Sequence, residues 1–432
     1  MDSGRLAPVP DQWPWWDGTP LEKSPVLRWG FTTGACVAAV LTASLLEQRP
    51  DATPETVPPL APGQTGWVRL LFGDGHLRLL PLGPKLPQYP GFCVIRKNAG
   101  DDPDCTHGLL VAGRLRLVQD QADRAAKPLP NDARDLTLAV GRATVFLHSL
   151  EGTGLVTLSG LDAPEGHWAI NQSARAFLAR NLAHAGIDSG VWQADIALCG
   201  GAALAAKTLN PSLGVQGGLS ILGTTGLVRP FSHEAYAASL RMALALARKQ
   251  SDCVVLGTGT RTLQTAKDWC TTHPPCAPLP AHAFVAIADF VQESLEAAGR
   301  LHFRRLLLVC MPGKLLKIAA GFTNTHAHRV PQAMDLLGRL CAELFPGEER
   351  RIRAVSAAPS VRKALEALDA DQQDRLLTHL GHRACARLNA HLLNTYLRNV
   401  DDGSAAPCLC ALLLVNVDGS VRLFLAPPGW QA

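Results

Sequence analysis

Short, uninterrupted apolar runs, each closing on small residues and leading toward a helical stretch, constrain this chain most. Four are read. Gly218-Leu219-Ser220-Ile221-Leu222 enters Gly223-Thr224-Thr225-Gly226, and Cys253-Val254-Val255-Leu256 enters Gly257-Thr258-Gly259-Thr260. Phe284-Val285-Ala286-Ile287 enters Ala288-Asp289, and Leu306-Leu307-Leu308-Val309-Cys310 enters Met311-Pro312-Gly313-Lys314. Side chains alternate across a strand, so a strand apolar at every position must be covered on both faces. Parallel sheets with crossover helices meet that demand. The runs therefore predict a parallel, Rossmann-like sheet whose ligands bind beyond the carboxyl ends of its strands, the edge where all four loops fall.

The stretch before these runs reads as α+β. Trp67 to Phe72 and His76 to Leu80, joined by Gly73-Asp74-Gly75, predict a hairpin. Phe92 to Lys97, Thr144 to Leu147 and Gly154 to Leu158 predict further short strands. Thr33 is placed to cap a helix of small residues beginning near Ala35, whose surface lets another backbone approach closely. The expected division is a Pro/Trp-rich extension over 1–27, an α+β domain over 28–192, and a Rossmann-like α/β domain over 193–345. Helices and a hairpin turning at Asp418-Gly419 follow over 346–432, packed on the first two domains and capping or extending a sheet.

Composition excludes several classes. Charged residues are 18% and the formal net charge is +4 without a Lys/Arg-rich run, which argues against nucleic acid as a partner. No apolar run reaches about 18 residues, so no membrane span is expected. The Met1-Asp2-Ser3-Gly4 start lacks a basic and then apolar leader, so no signal peptide is expected. The 12 cysteines form no CxxC pair and fall mostly in apolar runs, as buried thiols of a cytoplasmic protein would.

Several motifs carry chemistry. Gly223, Thr224, Thr225 and Gly226 expose amides and two hydroxyls suited to the carboxylate or ribose of a nucleotide-like cofactor. A βα turn that needs glycine only for its backbone is the equal alternative. Asp289 suits ribose hydroxyls or a helix N-cap, and Arg261 suits a ligand carboxylate or solvent. Asp101, Asp102, Asp104 and His107 crowd one loop, where like charges raise at least one pKa and favour proton transfer or metal binding over a plain solvated turn. This loop is expected to face a cleft between the two main domains. Lys314, Lys317, His326 and Arg329 form the basic end of a cleft for an acidic substrate, or else solvated helix ends. No second Asp/His cluster is seen, so no protein-bound metal is expected. Neither G-x-G-x-x-G nor a P-loop motif occurs.

In order along the chain, Arg28 to Cys36, Lys97 to Gly108, Ala169-Ile170-Asn171, Lys207-Thr208-Leu209-Asn210-Pro211, Gly217 to Pro230, Gly313-Lys314 and Asn324-Thr325-His326 resemble the cobalt-precorrin-5B C-1-methyltransferase (CbiD) family. The resemblance implies an α+β domain joined to a Rossmann-like one. It also implies methylation of ring carbon C-1 of cobalt-precorrin-5B by S-adenosyl-L-methionine, giving cobalt-precorrin-6A in anaerobic-type cobalamin biosynthesis. Gly223, Thr224, Thr225, Gly226, Gly257, Thr258 and Asp289 would then meet the cofactor. Thr32, Thr33, Lys97, Asn171, Arg175, Lys207, Arg229, Lys314 and His326 would meet the acidic tetrapyrrole, with Arg28 beside them. Asp104 or His107, supported by Asp101 and Asp102, would accept a proton. A homodimer is a possible assembly. Departures such as Gly201-Ala202-Ala203, where the family has Gly-Glu-Glu, leave two alternatives. One is an impaired or altered-specificity tetrapyrrole-binding homologue; the other is a nucleotide-using enzyme on the same sheet.

Overall fold

The computed structural model describes residues 27–48, 66–119, 132–230, 232–273, 279–322, 325, 333–399 and 407–430. The Trp-rich N-terminal stretch, the Pro-rich loop after Arg49, and His326, His328 and Arg329 lie outside them. The chain is a mixed α/β protein in two compact units that divide between Ser232 and His233. No described helix is long and apolar enough to cross a membrane.

The first unit contains β1 (Gly30–Phe31), α1 (Thr33–Glu47), β2 (Gly66–Leu71), β3 (Leu77–Leu82), β4 (Cys93–Arg96), β5 (Leu110–Gln119), β6 (Leu136–Val140) and β7 (Ala143–Glu151). It continues with β8 (Leu155–Val156), α2 (Gln172–His184), β9 (Val191–Cys199), α3 (Gly201–Ala205), β10 (Val215–Gln216) and β11 (Leu227–Val228). Its main sheet runs β4-β5-β9-β7-β6, antiparallel except for the β7–β9 pair. The expected β2–β3 hairpin forms.

Helix α1 is buried almost all round, because its Ala, Gly and Cys positions let neighbours reach its backbone. Gly113 on β5 lies so close that a Cβ there would sit 2.5 Å from a Val40 methyl carbon. Its cap is Thr32 rather than Thr33: the Thr32 hydroxyl accepts from the Ala35 amide at 3.1 Å. Thr33 is already helical and buried.

The second unit contains α4 (His233–Gln250), β12 (Cys253–Gly257), α5 (Thr260–Cys270), β13 (Phe284–Ala286), α6 (Val291–Arg300), β14 (Arg305–Cys310) and α7 (Pro312–Ala320). It ends with α8 (Met334–Leu344), α9 (Glu349–Ser356), α10 (Val361–Leu365), α11 (Ala370–Asn399), β15 (Leu409–Val415) and β16 (Val421–Leu425). The sheet order is β13-β12-β14-β15-β16, parallel except for β16 at the edge. Val254, Leu256, Leu306, Leu308, Leu412 and Leu414 enter one core with the larger helical layer. Val255, Leu307, Val309, Leu413 and Val415 enter a second, with Ala266 of α5 and Trp430. Both faces are therefore covered, which is why β12 and β15, and β14 after Arg305, are apolar throughout.

One of the four expected runs does not belong to this sheet. Residues 218–228 lie in the first unit, where β11 pairs with β1 and Ile170 bridges Ile221. The fourth parallel strand is β15, from the hairpin expected only to cap or extend a sheet. Val191–Cys199, which straddles the expected 192/193 boundary, is paired between β5 and β7 in the first unit. The dividing line therefore falls some forty residues later than expected.

Candidate functional site

In the second unit the chain leaves β12 for β13 on one side and later places β14 on the other. Neighbouring strand ends then send their loops in opposite directions, opening a crevice at their carboxyl ends. A cavity of about 730 Å³ lies there, lined by Thr258, Gly259, Asp289, Gly313, Lys314 and Thr325 among others. Its size is that of a small-molecule site. Helix α5 starts after Gly259 and α7 after Met311, and neither has a side-chain cap. The first turn of α5, and Gly313 in the first turn of α7 after Pro312, line the cavity with no side-chain cap on their amides, a setting that favours an anionic group.

Lys314 fastens this crevice. Its Nζ donates to the carbonyls of Thr258 at 2.7 Å and Ala288 at 2.9 Å, and pairs with Asp289 Oδ1 at 3.2 Å. One ammonium thus ties the β12 and β13 loops together, so its donors serve the protein rather than a substrate carboxylate. The Thr325 hydroxyl also donates to Asp289 Oδ1, at 2.9 Å. Among the described residues both contacts use Oδ1, which leaves Oδ2 able to accept from a ligand. Asp289 does not cap α6, whose cap position is Phe290. Lys317 is buried and donates to the Thr325 carbonyl at 3.1 Å. Burial pushes its ammonium pKa down, against the pull of nearby Asp289. Arg261 donates to the Val417 carbonyl at 2.6 Å, joining α5 to the turn of the β15–β16 hairpin.

Ala288 holds φ at +47°, in the left-handed region. A Cβ there is strained by about 1–2 kcal/mol. Ala288→Gly is expected to stabilise the protein by roughly 0.5 kcal/mol, since relief of strain exceeds the extra unfolded-chain entropy. Denaturant melts test this; an unchanged or lower midpoint would mean that the loop accepts Ala288 without strain.

In the first unit the other sequence candidates gather around the start of α1. The Thr32 amide donates to Gly226 O at 3.0 Å and the Gly34 amide to Leu222 O at 2.8 Å. The Asn171 amide, at the start of α2, donates to Ile221 O at 3.1 Å. Residues 221–226 therefore cross the starts of two helices. This turn is a clasp on α1 and not a loop of the parallel sheet, because its strand partner is β1. A Cβ at Gly223, where φ is +147°, would fall 2.2 Å from Thr32 Oγ1.

Two carboxylates of the acidic loop are held by cations. Asp101 accepts from Arg28 Nε at 2.8 Å and Nη2 at 2.6 Å, and this guanidinium holds its carboxyl below the usual range. Asp104 pairs with the buried Lys97 and accepts from the Thr106 amide at 2.8 Å and hydroxyl at 2.6 Å. Burial alone would raise the Asp104 pKa, but the Lys97 charge and these bonds outweigh it and the net shift is downward. His107 is exposed, and its Nδ1 accepts from the Ala99 amide at 3.2 Å. Arg28 and Lys97 are thus engaged by Asp101 and Asp104, whereas Lys207 and Arg229 are exposed. Arg175 reaches the Asp162 carbonyl at 3.4 Å.

Comparison with known proteins decides the family. A sequence model described as CbiD matches residues 21–230. The chain is 34% identical over 353 residues to the cobalt-precorrin-5B C(1)-methyltransferase of Nitratidesulfovibrio vulgaris, covering 80% of this chain and 82% of that protein. It is 32% identical to the same-named protein of Klebsiella pneumoniae, covering 84% and 85%. The chain belongs to the CbiD family. A solved structure described as a cobalamin biosynthesis protein (cbiD) from Archaeoglobus fulgidus aligns over 70% of this chain and 83% of that one, at 22% identity with a TM-score of 0.33.

Within this CbiD-family chain, motifs far apart in sequence meet in space. Gly30–Phe31 pairs with Leu227–Val228, and the Phe31 amide donates to Asn98 O at 2.7 Å. Asn210 donates to Gly218 O at 3.0 Å and accepts from the Ser220 hydroxyl at 3.2 Å, fastening the strand that leads to Gly223. Sequence reading missed the carbonyl-binding role of Lys314, since nothing local announces which carbonyls a lysine will reach.

Proposed function

We propose that this chain is a methyltransferase that methylates carbon C-1 of a cobalt-precorrin in cobalamin biosynthesis, with S-adenosylmethionine as donor. Membership of the CbiD family supports the reaction class. The observation that supports the donor site is the 730 Å³ crevice at the switch point of the parallel sheet. Its donor set fits such a molecule: Asp289 Oδ2 can accept from ribose hydroxyls, and the uncapped starts of α5 and α7 can receive a carboxylate. Gly257 and Thr258 would lie along it; a Cβ at Gly257 would strike Leu263 at 2.6 Å, so that strand end has to stay narrow.

The donor, when bound, supplies an electrophilic methyl group. The protein's work is then to hold the two reactants in line and exclude water. Asp104, kept ionised by Lys97 and with its oxygens occupied, is a weak proton acceptor. His107 would first have to release the Ala99 amide. Alignment therefore carries more of this mechanism than a dedicated base. Exposed Lys207 and Arg229, with Arg175, suit the carboxylates of an acidic tetrapyrrole.

Calorimetry with S-adenosylmethionine and S-adenosylhomocysteine tests the donor site. Both should bind the wild type, and Asp289→Asn and Lys314→Met should each weaken binding tenfold or more, about 1.4 kcal/mol. Binding of ATP or NAD with no binding of either sulfur compound would replace this reading by a nucleotide-using enzyme.

A further inference from the structure

We propose that Asp132, Asp135 and His148 form a divalent-cation site at the edge of the first unit's sheet. Nothing in the family reading uses these residues. The β6–β7 hairpin, with Leu136 opposite Leu147, brings Asp135 beside His148. Asp132 lies in the turn just before β6. One ligand atom from each of the three lies within 4.8 Å of the others.

Asp135 makes the case. Its side chain is only 4% exposed. Oδ1 accepts from the Trp168 indole at 3.0 Å and contacts His148 Nδ1 at 2.9 Å. Oδ2 is buried with no hydrogen-bond partner among the described residues. An ionised carboxylate in that position needs a positive charge or more donors. The neighbouring row shows what a balanced site looks like on the same sheet. There Asp195, paired in register with His148, accepts from Arg114 at 3.0 Å, Arg116 at 3.1 Å and Gln193 at 2.7 Å.

Among the described residues no arginine does this for Asp135. Arg134 directs its fork to Asp132, with Nε at 2.9 Å from Oδ1 and Nη2 at 2.6 Å from Oδ2, and lies over the Trp168 ring. Asp132 Oδ2 accepts that single bond and keeps a lone pair for a cation. Two carboxylate oxygens and one imidazole nitrogen suit a first-row divalent ion such as Mn²⁺ or Zn²⁺. A cation would take the His148 nitrogen that now faces Asp135.

The test is titration of the EDTA-treated full chain with Mn²⁺, followed by electron paramagnetic resonance of the free ion. One Mn²⁺ should bind per chain and be displaced by Zn²⁺. Asp135→Asn keeps the acceptor for Trp168 and preserves shape; it and His148→Gln should each weaken binding by at least about tenfold, as loss of a metal-site partner does. Melting temperature should rise with Mn²⁺ in the wild type only, which separates a lost site from a lost fold. Absence of saturable Mn²⁺ and Zn²⁺ binding in the wild type would overturn the proposal. Unchanged affinity in both variants would overturn it as well.

Discussion

Gly226→Val is expected to destabilise the first unit severely instead of weakening a cofactor selectively. Gly226 holds φ at +87°, and an added Cβ would sit 2.7 Å from the Phe177 ring and 2.8 Å from the Phe72 ring. Those rings meet edge to face at 5.6 Å and are buried, so they have little room to yield. Left-handed strain of about 1–2 kcal/mol adds to overpacking of about 1–3 kcal/mol. The sum is a large share of a stability of roughly 5–15 kcal/mol. Its carbonyl also receives the Thr32 amide, so displacement of the turn disturbs the start of α1. Thermal melts and limited proteolysis should show a lowered midpoint and early cutting within the first unit. A stable Gly226→Val protein that lost only donor affinity would return the turn to the cofactor site.

Lys97→Met should be comparably severe. Lys97 is 2% exposed, and its ammonium is bonded to Asp104 and the Thr106 hydroxyl. Removing it leaves the Asp104 carboxylate without its cation, which costs about 3–5 kcal/mol for buried pairs. Lys97→Met with Asp104→Leu should recover part of that loss, because no lone charge remains. The pH dependence has a definite sign. The folded Asp104 pKa lies below its unfolded value of about 3.9. The pair's contribution is therefore complete above the unfolded value and is lost as pH falls through the folded one. Urea melts across acid pH should show that limb in the wild type. In Lys97→Met the carboxyl loses the charge that lowered it while burial still raises it, so the limb should shrink or reverse, acid then relieving the unpaired carboxylate. Equal midpoints for Lys97→Met and wild type would mean that the buried pair contributes nothing.

Much of the second unit was legible along the chain because its signals are local. Strands β12 and β13, and β14 after Arg305, are apolar at every position and end in small residues, so period and length alone announce a covered parallel sheet. The Asp418-Gly419 turn marks the last hairpin in the same way. The first unit was less legible. Leu110–Gln119 carries Arg114 and Arg116, and Val191–Cys199 carries Gln193 and Asp195, so neither reads as a central strand. Only pairing makes those side chains affordable, since Asp195 meets both arginines across the sheet.

The family motifs and the identities of the candidate residues were likewise determined by sequence alone. Which job each residue holds was decided by tertiary structure. Gly218–Leu222 has the composition of a parallel strand, yet its partners lie in the first unit. Asp101 and Asp104 look in sequence like members of a proton-transfer loop, and distant or buried cations engage them. Lys314 looks like a substrate cation, and two carbonyls from other loops claim it. Asp135 and His148 carry no motif, and a hairpin register brings them together. In each case the deciding quantity is the charge or hydrogen-bonding partner that folding delivers from elsewhere in the chain, and local periodicity contains no record of it.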